Sequence, residues 1–344
     1  MRRIRKLLRG NEKMIKIIPY HHSPKIVWLD TNIINDIADA LLGKKQNNPI
    51  LDLYKTLLGL VNNEKIICPF LKQRDEYIKS DTSEKCDEIL LNLGKGKQLK
   101  TYKTALSQIE RMLNSYIRNE NSFCLDKNDI PYYGKNDKDN HNVSHGISVV
   151  VLLSGQNKEG IDKDNARLID YLKRRKEFIL ANQLPKQKVL ADETLARSQI
   201  FDNSINQIRA DYGCIFIDFE YLGPTYCQIY PLIAYKKILQ KDKLEDGDVL
   251  YVSEFFKNQN FIIPYDEIYS KIVTEKLFDK SNVKVTDVRD IENLSLILPY
   301  ASLIITDKAM KGYVEQLKLD KKYDTKIFSL KNYDGIMSEL NSIK

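Results

Sequence analysis

Residues 26–33 read Ile26-Val27-Trp28-Leu29-Asp30-Thr31-Asn32-Ile33, in which four apolar side chains are followed at once by an acid. The apolar run predicts a strand that is buried on both faces, as in a parallel sheet. Asp30 would then lie at the carboxyl edge, where open α/β sheets build their sites. The polar residues also fit a helix N-cap, because apolar side chains continue at helical spacing from Ile33. The sequence therefore predicts a strand, a turn and a helix, and leaves two roles open for the acid.

The same arrangement recurs late in the chain. A second apolar run, Ser302-Leu303-Ile304-Ile305-Thr306, is followed by Asp307 and then by a helical pattern. Asp287 and Asp290 lie three residues apart at the start of another helical pattern, so both fall on one side of it. Residues 66–70 predict a further strand, which leads into a helix carrying Glu76. Two predicted strands are thus each followed by an acid, and two predicted helices carry further acids.

In these segments the chain resembles the PIN-domain nucleases. The resemblance covers about residues 24–80 and 245–340, and it rests on Val27-Trp28-Leu29-Asp30-Thr31-Asn32-Ile33, Pro69-Phe70-Leu71-Lys72-Gln73-Arg74-Asp75-Glu76, Asp287-Val288-Arg289-Asp290-Ile291, and Leu298-Pro299-Tyr300 through Thr306-Asp307-Lys308. It implies an α/β fold of three layers, α/β/α, around a central parallel sheet. It also implies that four acids meet at the carboxyl edge of that sheet.

Site residues follow from the resemblance by position. The implied catalytic acids are Asp30, Glu76, Asp290 and Asp307. Asp287 is an alternative to Asp290, and all five are candidate metal ligands. The implied supporting side chains are Thr31, Asn32 and Thr306, whose hydroxyl or amide groups can hold a carboxylate or a water bound to the metal.

Clustered carboxylates raise each other's pKa unless a cation neutralises them. Mg²⁺ and Mn²⁺ prefer oxygen ligands and are bound by one or two carboxylates together with waters and substrate phosphate oxygens. A water activated by the ion can attack phosphorus in line. This chemistry indicates hydrolysis of a phosphodiester, and the resemblance implies a Mg²⁺- or Mn²⁺-dependent endoribonuclease. Asp30 and Asp307 would be direct ligands, while Glu76 and Asp290 would act through water or orient the nucleophile.

The expected partner is RNA, either single-stranded or in a tRNA loop, and this expectation comes from the resemblance. Nucleases of this kind often act as toxins or in defence against invading genetic elements, which implies an inhibitory or activating protein partner. A homo-oligomer is compatible with the sequence. Substrate phosphates could be held by Lys308 and by the densest internal basic run, Lys173-Arg174-Arg175-Lys176, which has aromatic neighbours. A solvated helix face is the alternative interpretation of that run.

The formal net charge is +7, yet residues 1–25 alone carry eight basic residues and one acid. The rest of the chain is therefore neutral, and net charge neither favours nor excludes a nucleic-acid partner. No apolar stretch approaches the roughly 20 residues that cross a bilayer. The five cysteines are scattered, as is typical of reduced thiols. We expect a cytoplasmic protein without a membrane partner.

The sequence divides into four predicted parts. Residues 1–23 form a basic arm, 24–80 and 245–344 form the two halves of a PIN-like domain, and 81–244 form a mainly helical insertion. Within the insertion, helical spacing recurs over 81–125, 163–183 and 190–212. A polar connection spans 126–145, and two apolar runs at 147–153 and 214–219 fit either a strand or a buried helix. His141 and His145 are interpreted as loop residues and not as a metal pair.

Two other functions stay open. A PIN-like module without catalysis could bind RNA or protein, and Ser302 favours it because family members with a Pro-Tyr segment often have an acid there. A structure-specific DNA nuclease would use the same acids. A phosphatase with Asp30 as nucleophile is disfavoured, because such enzymes place a second acid where this chain has Asn32.

Overall fold

The computed structural model describes residues 15–19, 23–45, 47–71, 73–77, 80–99, 101–126, 158–212 and 225–343. Several predicted segments lie outside the described residues. They are most of the basic arm, nearly all of the polar connection with His141 and His145, and the apolar runs 147–153 and 214–219.

The strands of the described residues are all parallel to their neighbours. They are β1 (Lys16–Ile18), β2 (Lys25–Leu29), β3 (Ile66–Ile67), β4 (Ser122–Cys124), β5 (Leu303–Ile305) and β6 (Lys326–Phe328). The central sheet has the order β3-β2-β5-β6, and β1 pairs separately with β4. Trp28 lies opposite Ile304, which lies opposite Ile327. Parallel pairing brings the carboxyl ends of β2 and β5 to the same edge, as the two apolar runs predicted.

Helices make up most of the described chain. In chain order they are α1 (Thr31–Leu41), α2 (Asn48–Asn62), α3 (Arg74–Tyr77), α4 (Ser83–Gly94), α5 (Thr101–Ile117), α6 (Lys158–Ala181), α7 (Lys186–Tyr212), α8 (Thr225–Ile238), α9 (Asp246–Lys257), α10 (Pro264–Phe278), α11 (Val285–Ile297), α12 (Lys308–Gln316), α13 (Leu319–Tyr323) and α14 (Tyr333–Asn341). Two short 3₁₀ turns lie at Gln259–Phe261 and Leu330–Asn332. The fold is therefore α/β, mostly helical, with a small parallel sheet.

Both faces of the central sheet are buried, because successive side chains of a strand point to opposite faces. Trp28 and Ile304 belong to one apolar core with side chains of α10, α11 and α12. Val27, Leu29 and Ile305 belong to a second core with side chains of α1, α2, α4 and α14. The two cores hold β2 and β5 from both sides and so fix the edge where their acids lie.

The helices predicted over 81–125, 163–183 and 190–212 are confirmed as α4 to α7, whereas strand β4 was not predicted. Helices α5 to α8, from the predicted insertion, share the first core with α10 and α11. The insertion and the late part of the chain are thus packed around the same apolar side chains. Among the helices described, none combines the length and apolar character that a membrane span requires.

Candidate metal centre

Asp30 and Asp307 occupy equivalent positions after neighbouring strands, and both are helix N-caps. Asp30 caps α1, because its Oδ1 accepts a hydrogen bond from the Asn32 backbone N–H at 3.3 Å. Asp307 caps α12, and its Oδ1 accepts from the backbone N–H groups of Ala309 and, at 2.9 Å, Met310. Each of these two aspartates is therefore both a helix N-cap and a residue at the carboxyl edge of the sheet.

Three carboxylates converge at this edge. One oxygen from each of Asp30, Asp290 and Asp307 lies within 4.8 Å of the other two. Asp30 is 1 % exposed and Asp290 is 6 % exposed, while Asp307 is half-buried. We call these three residues the acidic triad. Asp290 reaches the other two from α11, so the triad joins two strand ends and one helix.

Hydrogen bonds fix the orientation of Asp30 within the triad. Its Oδ2 accepts from the Thr306 hydroxyl at 2.8 Å and from the Asp307 backbone N–H at 3.3 Å. Thr306 thus takes the supporting place predicted for it. Thr31 is buried at the first position of α1. Asn32 has an exposed side chain, and its backbone N–H donates to Asp30.

The pKa of two triad acids is raised. Burial raises the pKa of Asp30 and the charge of Asp307 adds to this, although the Thr306 hydrogen bond lowers it. Burial raises the pKa of Asp290 to about 9, with further contributions from the charges of Asp30, Glu76, Asp307 and Asp287. A cation among these oxygens would stabilise their charged forms. The donor set consists of carboxylate oxygens, which fits a hard divalent ion such as Mg²⁺ or Mn²⁺.

The structure distinguishes the two acids that helical spacing left equivalent. Asp287 lies at the third position of α11, where its Oδ2 accepts from the Lys284 backbone N–H at 2.7 Å. The same oxygen pairs with Lys276 Nζ at 3.0 Å. Asp290, one turn later, contributes to the triad instead. The geometry thus favours Asp290 as the ligand and gives Asp287 a structural ion pair.

Glu76 lies outside the triad but close enough for its charge to raise the pKa of Asp290. It is half-buried on the single-turn helix α3. Its neighbours fix this helix to α4: Arg74 Nε pairs with Asp87 at 3.2 Å, and the Tyr77 hydroxyl donates to Asp87 at 2.6 Å. Sequence reasoning gave no role to Gln73, a buried residue that bonds to the end of β2. No pattern in the sequence indicated that contact.

The basic run on α6 is largely engaged within the fold. Arg175 pairs with Glu193 of α7 at 3.0 Å, and Lys176 Nζ donates to the Asp279 carbonyl at 2.6 Å and the Ser281 carbonyl at 2.9 Å. Lys173 and Arg174 are exposed, and Arg174 pairs with Asp170 one turn earlier. Lys308 is exposed beside Asp307. Lys308 therefore follows a triad residue directly in the chain, whereas Arg175 is paired with an acid of the next helix.

Ser302 lies at the opposite edge of the sheet from the triad. Its backbone N–H donates to the Ile26 carbonyl at 2.8 Å, and its carbonyl accepts from the Lys326 N–H at 3.1 Å. Roughly 13 Å of extended chain separates Ser302 from Thr306. An acid at this position would not reach the triad, so the serine there leaves the set of triad ligands unchanged.

Capping by Asp307 can be separated from its charge. Asp307→Asn and Asp307→Ala both remove the carboxylate charge, but only asparagine retains an oxygen that caps α12. We expect Asp307→Ala to be less stable than Asp307→Asn by about 0.5–2 kcal/mol, measured by urea unfolding without metal. Equal stability of the two variants would contradict the cap.

The triad can hold a divalent ion, neutralise its own repulsion and offer that ion to a phosphate oxygen. Helices α1 and α12 also begin at this edge, and backbone N–H groups at helix N-termini favour negatively charged ligands. These features fit a phosphate ester next to a metal ion. No family model, curated protein or solved structure matches the chain.

Proposed function

We propose that this chain is a Mg²⁺- or Mn²⁺-dependent endoribonuclease that hydrolyses phosphodiester bonds, with a PIN-like three-layer α/β/α architecture. The observation that carries the proposal is the acidic triad, whose carboxylate oxygens lie within 4.8 Å of one another. Burial of both faces of the sheet supports the three-layer arrangement. The proposal includes a cytoplasmic location.

Each acid has a role in this proposal. Asp30, fixed by Thr306, and Asp307, fixed by the start of α12, would hold the ion from two strand ends. Asp290 completes the triad from α11, and Glu76, whose charge acts on Asp290, would help to orient the water that attacks phosphorus. A bound divalent ion supplies an acidic water and offsets charge on the phosphate. The residues themselves would bind the ion and orient the substrate phosphate. They would also exclude solvent, since two triad members are almost fully buried.

RNA is the proposed substrate, single-stranded or in a tRNA loop, because a flexible backbone can approach the site past Asp307, which is half-buried, and Lys308, which is exposed. A role as a toxin or defence effector and control by a protein partner belong to the same proposal, and they rest on the resemblance to PIN-domain nucleases. The feature that favoured a non-catalytic module was Ser302, and its place at the opposite edge removes that argument.

The direct test is incubation of the purified protein with a labelled mixed RNA pool, single-stranded DNA and a DNA flap. Each substrate is tested with Mn²⁺, Mg²⁺ or EDTA. We expect RNA to be cut with either metal and to stay intact in EDTA. Preferred cutting of the flap would identify a DNA nuclease, and RNA binding without cutting under any metal would favour the binding module.

Lys308 is expected to contact a substrate phosphate. Lys308→Ala should raise the KM for RNA about 2- to 5-fold, leave kcat unchanged, and reduce the slope of log affinity against log salt by about one. The matched control is Lys321→Ala, which removes an exposed lysine from α13 at the amino edge. A KM equal to that of the control would exclude the contact.

A further inference from the structure

Strand β3 leaves the sheet before β2 ends. It pairs with β2 only at Ile66 and Ile67. Beyond that point the backbone turns away, and the Cys68 N–H donates to the Leu93 carbonyl at 3.1 Å. Strand β2 continues to Leu29, so its last carbonyl on this side is reached by a side chain instead of a strand. The divergence leaves β2 without a strand partner on this side next to Asp30.

The side chain that reaches this carbonyl is Gln73, which is 1 % exposed. Its Nε2 donates to the Leu29 carbonyl at 3.2 Å, and its Oε1 accepts from the Leu71 N–H. One partner is an acceptor and the other a donor, so only one orientation of the carboxamide satisfies both. The amide therefore donates the hydrogen bond to β2 that a backbone N–H of a neighbouring strand would otherwise donate.

Gln73 also connects two parts of the acidic site. Leu29, the partner of Gln73 on β2, directly precedes Asp30. The backbone carbonyl of Gln73 accepts from the Glu76 N–H at 3.0 Å. Helix α3 is a single turn, which is too short to be stable by its own hydrogen bonds. Tertiary contacts must hold it: Asp87 holds it on the α4 side, and Gln73 holds it on the β2 side.

We propose that Gln73 is a positioning residue, whose carboxamide replaces the missing strand contact and fixes Glu76 relative to Asp30 and Asp290. Its consequence for catalysis rests on the proposed function. The fixed distance matters because the charge of Glu76 acts on Asp290, and a loosened α3 would let Glu76 move toward solvent.

The test compares Gln73→Met with Gln108→Met. Gln108 is likewise fully buried and makes two amide hydrogen bonds, to the Tyr300 hydroxyl at 2.9 Å and from the Tyr265 N–H at 2.9 Å. Both variants keep the side-chain volume, lose two buried hydrogen bonds and should lower the melting temperature. Only Gln73→Met should weaken Mn²⁺ binding, measured by electron paramagnetic resonance, and lower kcat by about 10- to 100-fold at nearly unchanged KM. Equal Mn²⁺ affinity and kcat in the two variants would overturn the proposal.

A second measurement needs neither metal nor activity. Glu76→Gln removes a negative charge that lies near the acidic triad, and it should raise the melting temperature of the metal-free protein at pH 8. In the Gln73→Met background this gain should shrink, because Glu76 can already move away. An identical gain in both backgrounds would overturn the positioning role. Failure of the unmodified protein to bind Mn²⁺ and cut RNA would instead overturn the proposed function, and the melting comparison would still decide the role of Gln73.

Discussion

Asp30→Asn is expected to abolish metal-dependent RNA cleavage while leaving the protein folded. Asparagine keeps one side-chain oxygen, which can still cap α1. Its amide nitrogen can donate to the Thr306 hydroxyl but cannot accept from the Asp307 N–H, so we expect a modest loss of stability without unfolding. The substitution removes the negative charge from the centre of the triad, where Asp30 is almost fully buried. We expect kcat to fall by at least about 10²-fold, since even partners that only orient metal ligands are worth about 10- to 100-fold. Single-turnover cleavage with saturating Mn²⁺ measures the loss.

Asp307→Asn should give the same result, and its circular dichroism spectrum should be unchanged. The matched control is Asp36→Asn on α1, which removes a carboxylate that pairs with Lys45 at 3.3 Å at the surface. The control should cleave at nearly the rate of the unmodified protein. Cleavage by Asp30→Asn within a few-fold of that rate would mean that the reaction takes place elsewhere.

The metal-free protein is expected to lose stability as the pH rises from about 4 to about 9. The pKa of Asp290 is raised from its ordinary value of 3.8 to about 9 in the folded protein. The folded state therefore binds a proton more tightly than the unfolded chain, which favours folding at low pH. That contribution is fully present below pH 3.8 and is lost as the pH rises through the folded pKa. Mg²⁺ or Mn²⁺ should restore stability at pH 8, because binding to the folded state alone raises it.

Substitution of the two α11 acids should separate this effect from ordinary destabilisation. In the metal-free protein at pH 8, the folded state must keep a proton on Asp290 that the unfolded chain releases. Asp290→Asn removes this cost and should raise stability by at least ~1 kcal/mol. Asp287→Asn should lower it, because it leaves the Lys276 ammonium, which is 8 % exposed, without its carboxylate. Unfolding followed by the fluorescence of Trp28, the single tryptophan, measures both. A fall in stability for Asp290→Asn would contradict the role given to Asp290. The same would follow if Mg²⁺ or Mn²⁺ stabilised this variant as much as the unmodified protein.

The central strands could be predicted because each is a short apolar run that ends at an acid. β2 and β5 follow this pattern, and the structure shows both as parallel strands, with Trp28 opposite Ile304. The departure of β3 could not be predicted, since residues 66–70 are apolar throughout. Phe70 forms its backbone bridge with Gln98 and not with β2. That partner lies far along the sequence, beyond the reach of local periodicity.

The candidate site shows the same division between local and distant information. Strand ends located Asp30 and Asp307, because the residue after a parallel strand always lies at the carboxyl edge. The choice between Asp287 and Asp290 depends on Lys276, which belongs to a different helix and neutralises only the first of them. The basic run on α6 could not show that Arg175 pairs with an acid, since its carboxylate partner Glu193 lies on the following helix.

The double role of Asp30 and Asp307 as helix caps and triad members bears on how the chemistry could be lost during evolution. Aspartate and asparagine codons differ by one base, so a single transition at either position replaces the acid by a residue that still caps the helix. Such a lineage would keep its fold, its surface and its interaction partners while losing the charge at the sheet edge. Inactive paralogues of this chain should therefore carry asparagine at 30 or 307 more often than alanine or glycine.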